Sequence, residues 1–177
     1  SYEVVHQIAK QRSSADGRDR RFDVTLLING LPIAQIELKQ VTTKDGIYQA
    51  FNQVKKYAEE GVFRNNIFST LQLFVVSNEQ TTRYFANALP KNMHRKLLFS
   101  WRTKNNQKVE NLYEFCKQVL NIPDAHRLIA DYTIVSEDQD NKILMVLHPY
   151  QIHAIEALYV SANKHESGYV WHATGSG

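Results

Sequence analysis

The chain has 177 residues, of which 43% are hydrophobic and 22% are charged, with a formal net charge of +3. This composition is that of a globular protein with one ordinary core and room for the beginning of a second domain. The net charge is too small to indicate a nucleic-acid partner by itself. The single cysteine, Cys116, excludes an intrachain disulfide and fits a reducing compartment. No apolar run approaches the ~20 residues of a membrane span, so we expect a cytoplasmic protein that does not cross a membrane.

The first forty residues predict three strands. Residues 4–8 predict the first strand, and residues 11–20 predict a polar loop. Two runs rich in β-branched residues follow at 22–28 and 31–39, on either side of Asn29-Gly30. This dipeptide tolerates the positive φ angles of a tight turn, so the two runs predict a β-hairpin.

A change of period then indicates a helix and further strands. Apolar residues recur at helical spacing from Asp45, and Gly61 can close that helix. Residues 71–78 are nearly all apolar, which is typical of a strand buried on both faces, and 83–87 and 97–101 predict two shorter strands. The order of these elements predicts a small α/β domain with a mixed sheet over residues 1–105.

The next segment is basic and then helical. Residues 91–96 predict an exposed basic turn, for which we favour a solvated loop over a contact with phosphates. Residues 109–120 and 123–131 predict two helices joined around Pro123.

The last part of the chain predicts the start of another unit. A short strand beginning at Lys142 runs into a helix that opens at Pro149, a residue favoured in the first helical turn. Residues 168–177 repeat the transition from strand to turn, as at the start of a nucleotide-binding α/β domain. The sequence starts without methionine and stops at a Gly-rich turn, so we expect a fragment.

Three charged residues of the hairpin predict a site. Glu37 and Lys39 point to the same face of their strand because side chains alternate. The hairpin can bring Asp23 towards Glu37 at its open end. Two carboxylates so placed repel each other, and a divalent cation such as Mg²⁺ compensates them. Lys39 can then orient a water or stabilise charge on a phosphate, which suits phosphodiester hydrolysis.

The alternative is an ordinary charged pair on a half-exposed strand, because such a short pattern often occurs by chance. The apolar surroundings of Glu37 and Lys39 argue against it. So does the following helix, in which Gln53 and Tyr57 lie one turn apart and therefore on one face.

Asp23, the triplet 37–39 and the segment 53–57 resemble the PD-(D/E)xK nuclease pattern with its Gln-x-x-x-Tyr extension. The whole chain resembles the R (motor and endonuclease) subunit of type I restriction–modification enzymes. The resemblance implies a restriction-endonuclease-like mixed sheet flanked by helices. It also implies that the two matching acids hold Mg²⁺, that the lysine is catalytic, and that the glutamine and tyrosine are needed for cleavage. This chain has Phe22 where the family pattern places proline.

The end of the chain resembles a superfamily 2 helicase. Residues 147–158 resemble the Q-motif region, in which Gln151 matches the glutamine that reads adenine. The run Thr174, Gly175, Ser176 and Gly177 resembles a Walker A loop, whose backbone N–H groups cradle the phosphates of ATP. Without this context, Gln151 reads as an ordinary surface residue near a helix start.

The resemblance implies two domains. Residues 1–135 would form an endonuclease domain with a helical linker at 106–135, and residues 136–177 would begin helicase domain 1, truncated at the Walker A loop.

The implied activity is that of a type I site-specific deoxyribonuclease, which cuts double-stranded DNA with Mg²⁺ and hydrolyses ATP in the full-length protein. The implied partners are the methyltransferase and specificity subunits. Two alternatives stay open: a stand-alone repair or junction nuclease, and a catalytically silent module that docks DNA or a methyltransferase.

Overall fold

The computed structural model describes residues 1–10, 20–138 and 141–172. Its main feature is a five-stranded sheet in the order β1-β2-β3-β4-β5. The strands are β1 (Tyr2–Lys10), β2 (Arg20–Ile28), β3 (Leu31–Leu38), β4 (Leu73–Ser77) and β5 (Thr82–Ala86). β3 and β4 are parallel and the other neighbours are antiparallel. The sheet is therefore mixed, as predicted; most of the polar loop predicted at 11–20 lies outside the described residues.

The predicted hairpin joins β2 and β3. Asn29 and Gly30 have φ angles of 51° and 78°, and Ile28 pairs with Leu31 across the two-residue turn. Both turn residues need the left-handed region, which Asn and Gly enter at low cost. The turn sets the register that brings the far ends of β2 and β3 together.

A single long helix, α1 (Gly46–Glu59), connects the parallel strands β3 and β4. Its apolar stripe, including Phe51 and Val54, is buried against the sheet. Gly61 follows with a φ of 73° and ends the helical path. The helix predicted between Asp45 and Gly61 is confirmed, and it covers the face of the sheet on which the candidate site lies.

Two buried clusters lie on opposite faces of the sheet. Phe74 and Val76 belong to the cluster under α1, whereas Leu73 and Val75 belong to the other. This division follows from the alternation of side chains along β4, all of which is buried, as the apolar run 71–78 predicted.

The strand predicted at 97–101 is wrong. Residues Arg95–Leu97 form a 3-10 turn, and the segment touches β5 through a single bridge between Tyr84 and Phe99. Leu97 packs against the α1-side cluster, while Phe99 packs against the opposite one. The segment therefore wraps around the edge of the sheet instead of extending it. Two further 3-10 turns cover Ile67–Thr70 and Pro90–Asn92.

The helix predicted at 109–120 begins later than expected. Val109 lies in β7 (Lys108–Val109), which pairs with β6 (Trp101–Arg102). Asn111 then caps α2 (Leu112–Phe115) with its side-chain oxygen, and a π-helical turn covers Cys116–Leu120. The next prediction, a helix at 123–131, is confirmed as α3 (Asp124–Ala130).

The last described elements are β8 (Thr133–Asp138), β9 (Asn141–Val146) and α4 (Pro149–Asn163). The strand and the helix opening at Pro149 were predicted, whereas β8, the hairpin partner of β9, was not. The strand predicted from residue 168 is wrong for residues 168–172, which pair with no described strand. Trp171 is 87% exposed there.

Val146 and Ile152 join the same buried cluster as Val75 of the main sheet. The domain boundary after residue 135 stays a prediction. Within the described ranges, no helix is long and apolar enough to cross a membrane.

Candidate active site

Glu37 lies near the end of β3 and is completely buried. One carboxylate oxygen, Oε1, accepts from the Gln35 amide at 3.3 Å, and the other, Oε2, accepts from the Gln53 amide at 2.8 Å. Burial raises the pKa of Glu37 to about 8, and the charge of Asp23 adds to the rise while Lys39 opposes it. The carboxyl group therefore holds a proton at neutral pH unless positive charge arrives.

Gln53 of α1 connects the other predicted site residues. Its Oε1 accepts a hydrogen bond from the ammonium of Lys39. Its Nε2 donates to Glu37 at 2.8 Å and to the Tyr57 hydroxyl at 2.7 Å. One amide group thus fixes the relative positions of Lys39, Glu37 and Tyr57. The alternation of side chains along β3 places the lysine and the acid on one face, and one turn of α1 places the tyrosine next to Gln53.

Tyr57 is anchored by its ring. The ring packs edge-on against Phe22 with centroids 5.8 Å apart, and the guanidinium of Arg20 lies 5.3 Å from its centroid. Burial, followed by the charge of Glu37, raises the pKa of Tyr57. Its hydroxyl therefore stays protonated and accepts from Gln53 while keeping its own proton to donate.

Asp23 follows Phe22 on β2 and is only partly buried. Its Oδ2 accepts from the backbone N–H of Leu38 at 2.8 Å. The backbone pairing of β2 with β3 ends at Val24 and Ile36. Beyond that pair, the bond from Leu38 holds the Asp23 carboxyl group beside Glu37. The structure thus brings the two acids together at the open end of the hairpin.

A buried polar pair that the sequence reading missed lies beneath Glu37. Gln35 and Thr25 are completely buried, and the Thr25 hydroxyl donates to the Gln35 Oε1 at 2.7 Å. The Gln35 amide nitrogen then faces Glu37. The signal was available, because Gln35 shares the face of Glu37 and Lys39 in the alternating pattern of β3.

Gly46 is a second missed residue. A Cβ built at this position, the first of α1, would lie 3.2 Å from the Cβ of Lys39 and 3.5 Å from the Cβ of Thr43. The glycine thus lets the start of α1 approach the strand end that carries the lysine.

Asp23 and Glu37 are the carboxylates available to the predicted Mg²⁺ ion. Within residues 1–10, 20–138 and 141–172, no group of three His, Cys, Asp or Glu side chains converges on a metal position. Mg²⁺ commonly takes only one or two carboxylates and fills its shell with waters and phosphate oxygens. Asp23 and Glu37 supply that number, and their mutual repulsion is the charge that a cation relieves, so the residues fit the ion.

The predicted nucleotide residues lie elsewhere. Gln151 is in the first turn of α4, where its Oε1 accepts from the His148 backbone N–H at 2.8 Å in a capping box. Thr174, Gly175, Ser176 and Gly177 lie outside the described residues.

The described chain is therefore an α/β protein in which acids, a lysine and a connecting amide meet at one end of a mixed sheet, as in a nuclease-like domain. Residues 1–93 match the family model described as the N terminus of type I restriction enzyme R proteins. The chain belongs to this family.

Individual relatives carry matching names. The chain is 38% identical over 172 residues to a type I restriction enzyme endonuclease subunit of Staphylococcus aureus and 41% identical over 172 residues to one of Staphylococcus saprophyticus. Both matches cover 97% of this chain but 18% of the relative. An Escherichia coli endonuclease subunit, EcoprrI, is 35% identical over 154 residues, which is 86% of this chain and 48% of that protein. The chain thus spans less than half of each relative.

Proposed function

We propose that this chain supplies the Mg²⁺-dependent nuclease centre with which a type I restriction enzyme hydrolyses phosphodiester bonds of double-stranded DNA. The observation that carries the proposal is the Gln53 amide, which holds Lys39 on one side and Glu37 on the other. A lysine that only balanced charge on an exposed strand would not need a helix residue to orient it. Family membership supports the same reading.

Asp23 and Glu37 are the residues that would hold the ion. When bound, Mg²⁺ neutralises phosphate charge and lowers the pKa of its waters. Because Glu37 has a pKa of about 8 in its buried position, occupation of the site requires its proton to leave. Metal affinity should therefore rise with pH through this range.

Lys39 and Tyr57 act on the phosphate side of the site in this proposal. The Lys39 ammonium, held by Gln53, stabilises the negative charge that develops on the scissile phosphate. The Tyr57 hydroxyl locks the Gln53 amide from the other side. Gln53 and Tyr57 thus hold the Lys39 ammonium in position before DNA binds. Little reorganisation of the site then accompanies the reaction.

The wider proposal follows the resemblance and the relatives' names. Residues 136–177 begin the helicase domain of a longer protein that hydrolyses ATP. Gln151 reads adenine there, and Thr174, Gly175, Ser176 and Gly177 cradle the phosphates. Methyltransferase and specificity subunits are the partners, and the complex works in the cytoplasm.

Calorimetry with Mg²⁺ and Mn²⁺ tests the metal site. We expect the wild-type chain to bind the ion and Asp23→Ala to lose most of the affinity. The control is Asp131→Ala, which changes an exposed aspartate outside the site and should bind the ion as the wild type does. The same variants in the full-length enzyme should differ in plasmid cleavage. Equal binding and equal cleavage by Asp23→Ala and wild type would overturn the proposal in favour of a catalytically silent docking module.

A further inference from the structure

Positive charge is concentrated in one segment of the chain. Residues 80–109 contain seven of the chain's 21 Lys and Arg residues and none of its 18 Asp and Glu residues. The small net charge of +3 hides this asymmetry, because the rest of the chain has an acidic excess. The segment includes β5 at the edge of the sheet and then wraps around that edge, with Met93 and Leu97 packing in the cluster under α1.

The basic turn, residues 91–96, exposes positive charge to solvent and is anchored by one buried side chain. Met93 is 1% exposed and packs in the core cluster under α1. The neighbouring Lys91, Arg95 and Lys96 are exposed. Among the ion pairs within the described ranges, none involves these three cations. Their charges are therefore not neutralised by carboxylates in contact with them.

Arg95 is held in place beside the candidate active site. Its guanidinium carbon lies 4.4 Å from the centroid of the Tyr48 ring, a distance at which an arginine is attracted to an aromatic face. Both residues line a cleft of about 340 Å³ that reaches Thr43 and Gly46. Gly46 borders Lys39, since a Cβ on Gly46 would lie 3.2 Å from the Cβ of Lys39. The cleft therefore opens next to the catalytic lysine.

The cleft is large enough for a hydrated phosphate group of a nucleic-acid backbone. A water molecule occupies about 30 Å³ in the liquid, so the volume accommodates roughly ten waters or a hydrated phosphate. Asp45 is the acid among the described lining residues, and Arg83, a second cation in the lining, is already paired with Glu110. Arg95 is thus the cation in the lining that remains available.

We propose that Lys91, Arg95 and Lys96 bind the backbone phosphates of DNA flanking the scissile position, on the side where α1 begins. The inference rests on the proposed nuclease function and adds a DNA-binding surface to it. It replaces the solvated loop favoured from the sequence. Such contacts orient the duplex over the acids and the lysine without reading its sequence.

The salt dependence of DNA binding tests this surface. Each lost phosphate contact lowers the slope of log affinity against log salt by about 0.9. We expect the triple variant Lys91→Gln, Arg95→Gln and Lys96→Gln to lose between two and three units of slope and about 10- to 100-fold in affinity at low salt. The probe is a fluorescent duplex of about 30 base pairs in EDTA, with KCl from about 50 to about 300 mM.

The control removes the same amount of charge elsewhere. Arg64, Lys142 and Lys164 are exposed. Arg64 follows the C-terminal end of α1, and that end lies about 20 Å from the start of the helix at 1.5 Å per residue. Their triple change to glutamine should leave the slope within one unit of wild type. If the test variant is unstable in thermal unfolding, the pair Lys91→Gln and Lys96→Gln should still lose about two units.

The two proposals can fail separately. If wild type and the test triple bind DNA with equal affinity and equal salt dependence, the surface does not bind phosphates and the inference is overturned. An acidic protein would then be the remaining candidate partner for these cations. If test and control triples lose the same slope, only total charge matters and the inference is also overturned. Mg²⁺ calorimetry reports on the active site independently, because the test triple leaves Asp23 and Glu37 unchanged.

Discussion

The Glu37→Gln substitution should change how stability depends on pH in the metal-free chain. Glu37 has its pKa raised from 4.5 to about 8 in the folded protein. Between these two values the folded state binds the proton more tightly than the unfolded state. The free energy of unfolding of the wild type should therefore fall as the pH rises from about 4.5 to about 8.

The size of the effect follows from the shift. One pKa unit corresponds to about 1.4 kcal/mol, so ionised Glu37 destabilises the wild type by roughly 3–5 kcal/mol above pH 8. Glutamine cannot ionise, but it places an NH₂ group where one carboxylate oxygen accepts from Gln35 or Gln53, a cost of about 1 kcal/mol. The variant should thus be the more stable protein at high pH and slightly less stable near pH 4.5.

Urea unfolding in EDTA across this pH range measures the two profiles. We expect them to cross, with the wild type losing stability as Glu37 ionises. Saturating Mg²⁺ should restore the wild type at high pH and leave the variant unchanged, because only the wild type keeps both acids. Parallel profiles in EDTA would refute the idea that Glu37 is held as a buried, proton-binding acid.

Three further substitutions, at two positions, test the approach of α1 to Lys39 and the role of Gln151. Gly46→Ala should lower DNA cleavage about tenfold by displacing Lys39, while the free energy of unfolding of the chain changes by no more than about 1 kcal/mol; unchanged cleavage would show that the close approach of α1 is irrelevant. Gln151→Glu keeps the oxygen that caps His148 but loses the amide donor, so α4 should stay stable while the ATPase of the full-length protein falls. Gln151→Ala should also remove the cap, at about 1 kcal/mol, and full ATPase activity in both variants would exclude adenine reading.

Local rules predicted the half of the chain that carries the site. The Asn29-Gly30 turn fixes the hairpin, and the alternation of side chains then places Glu37 and Lys39 on one face. Helical periodicity places Gln53 and Tyr57 one turn apart. Each of these signals depends only on residues that are close in sequence. The sequence was therefore sufficient to predict that these side chains lie close together.

The features that were missed depend on distant partners. Segment 97–101 has the composition of a strand, but its apolar side chains fill cores on both faces of the sheet. Val109 pairs with Trp101 instead of starting a helix. The buried pair of Thr25 and Gln35 could have been inferred from alternation, whereas the approach of Gly46 to Lys39 requires the angle between α1 and β3.

The most direct test of the nuclease proposal is the Lys39→Ala variant of the full-length protein, reconstituted with its partner subunits. Loss of a charge that stabilises a phosphoryl transition state costs on the order of 3 kcal/mol, which slows cleavage more than about 100-fold. A lysine that merely forms an exposed ion pair contributes about 0–1 kcal/mol. Lys164→Ala, at an exposed position after α4, is the matched control.

Plasmid cleavage and ATP-driven translocation are measured on the same preparations, the latter by displacement of a triplex-forming strand. We expect Lys39→Ala to abolish cleavage but to translocate at the wild-type rate, whereas Lys164→Ala should cleave and translocate like the wild type. Cleavage by Lys39→Ala within a few-fold of wild type would exclude a catalytic role for Lys39 and leave it only the structural hydrogen bond to Gln53.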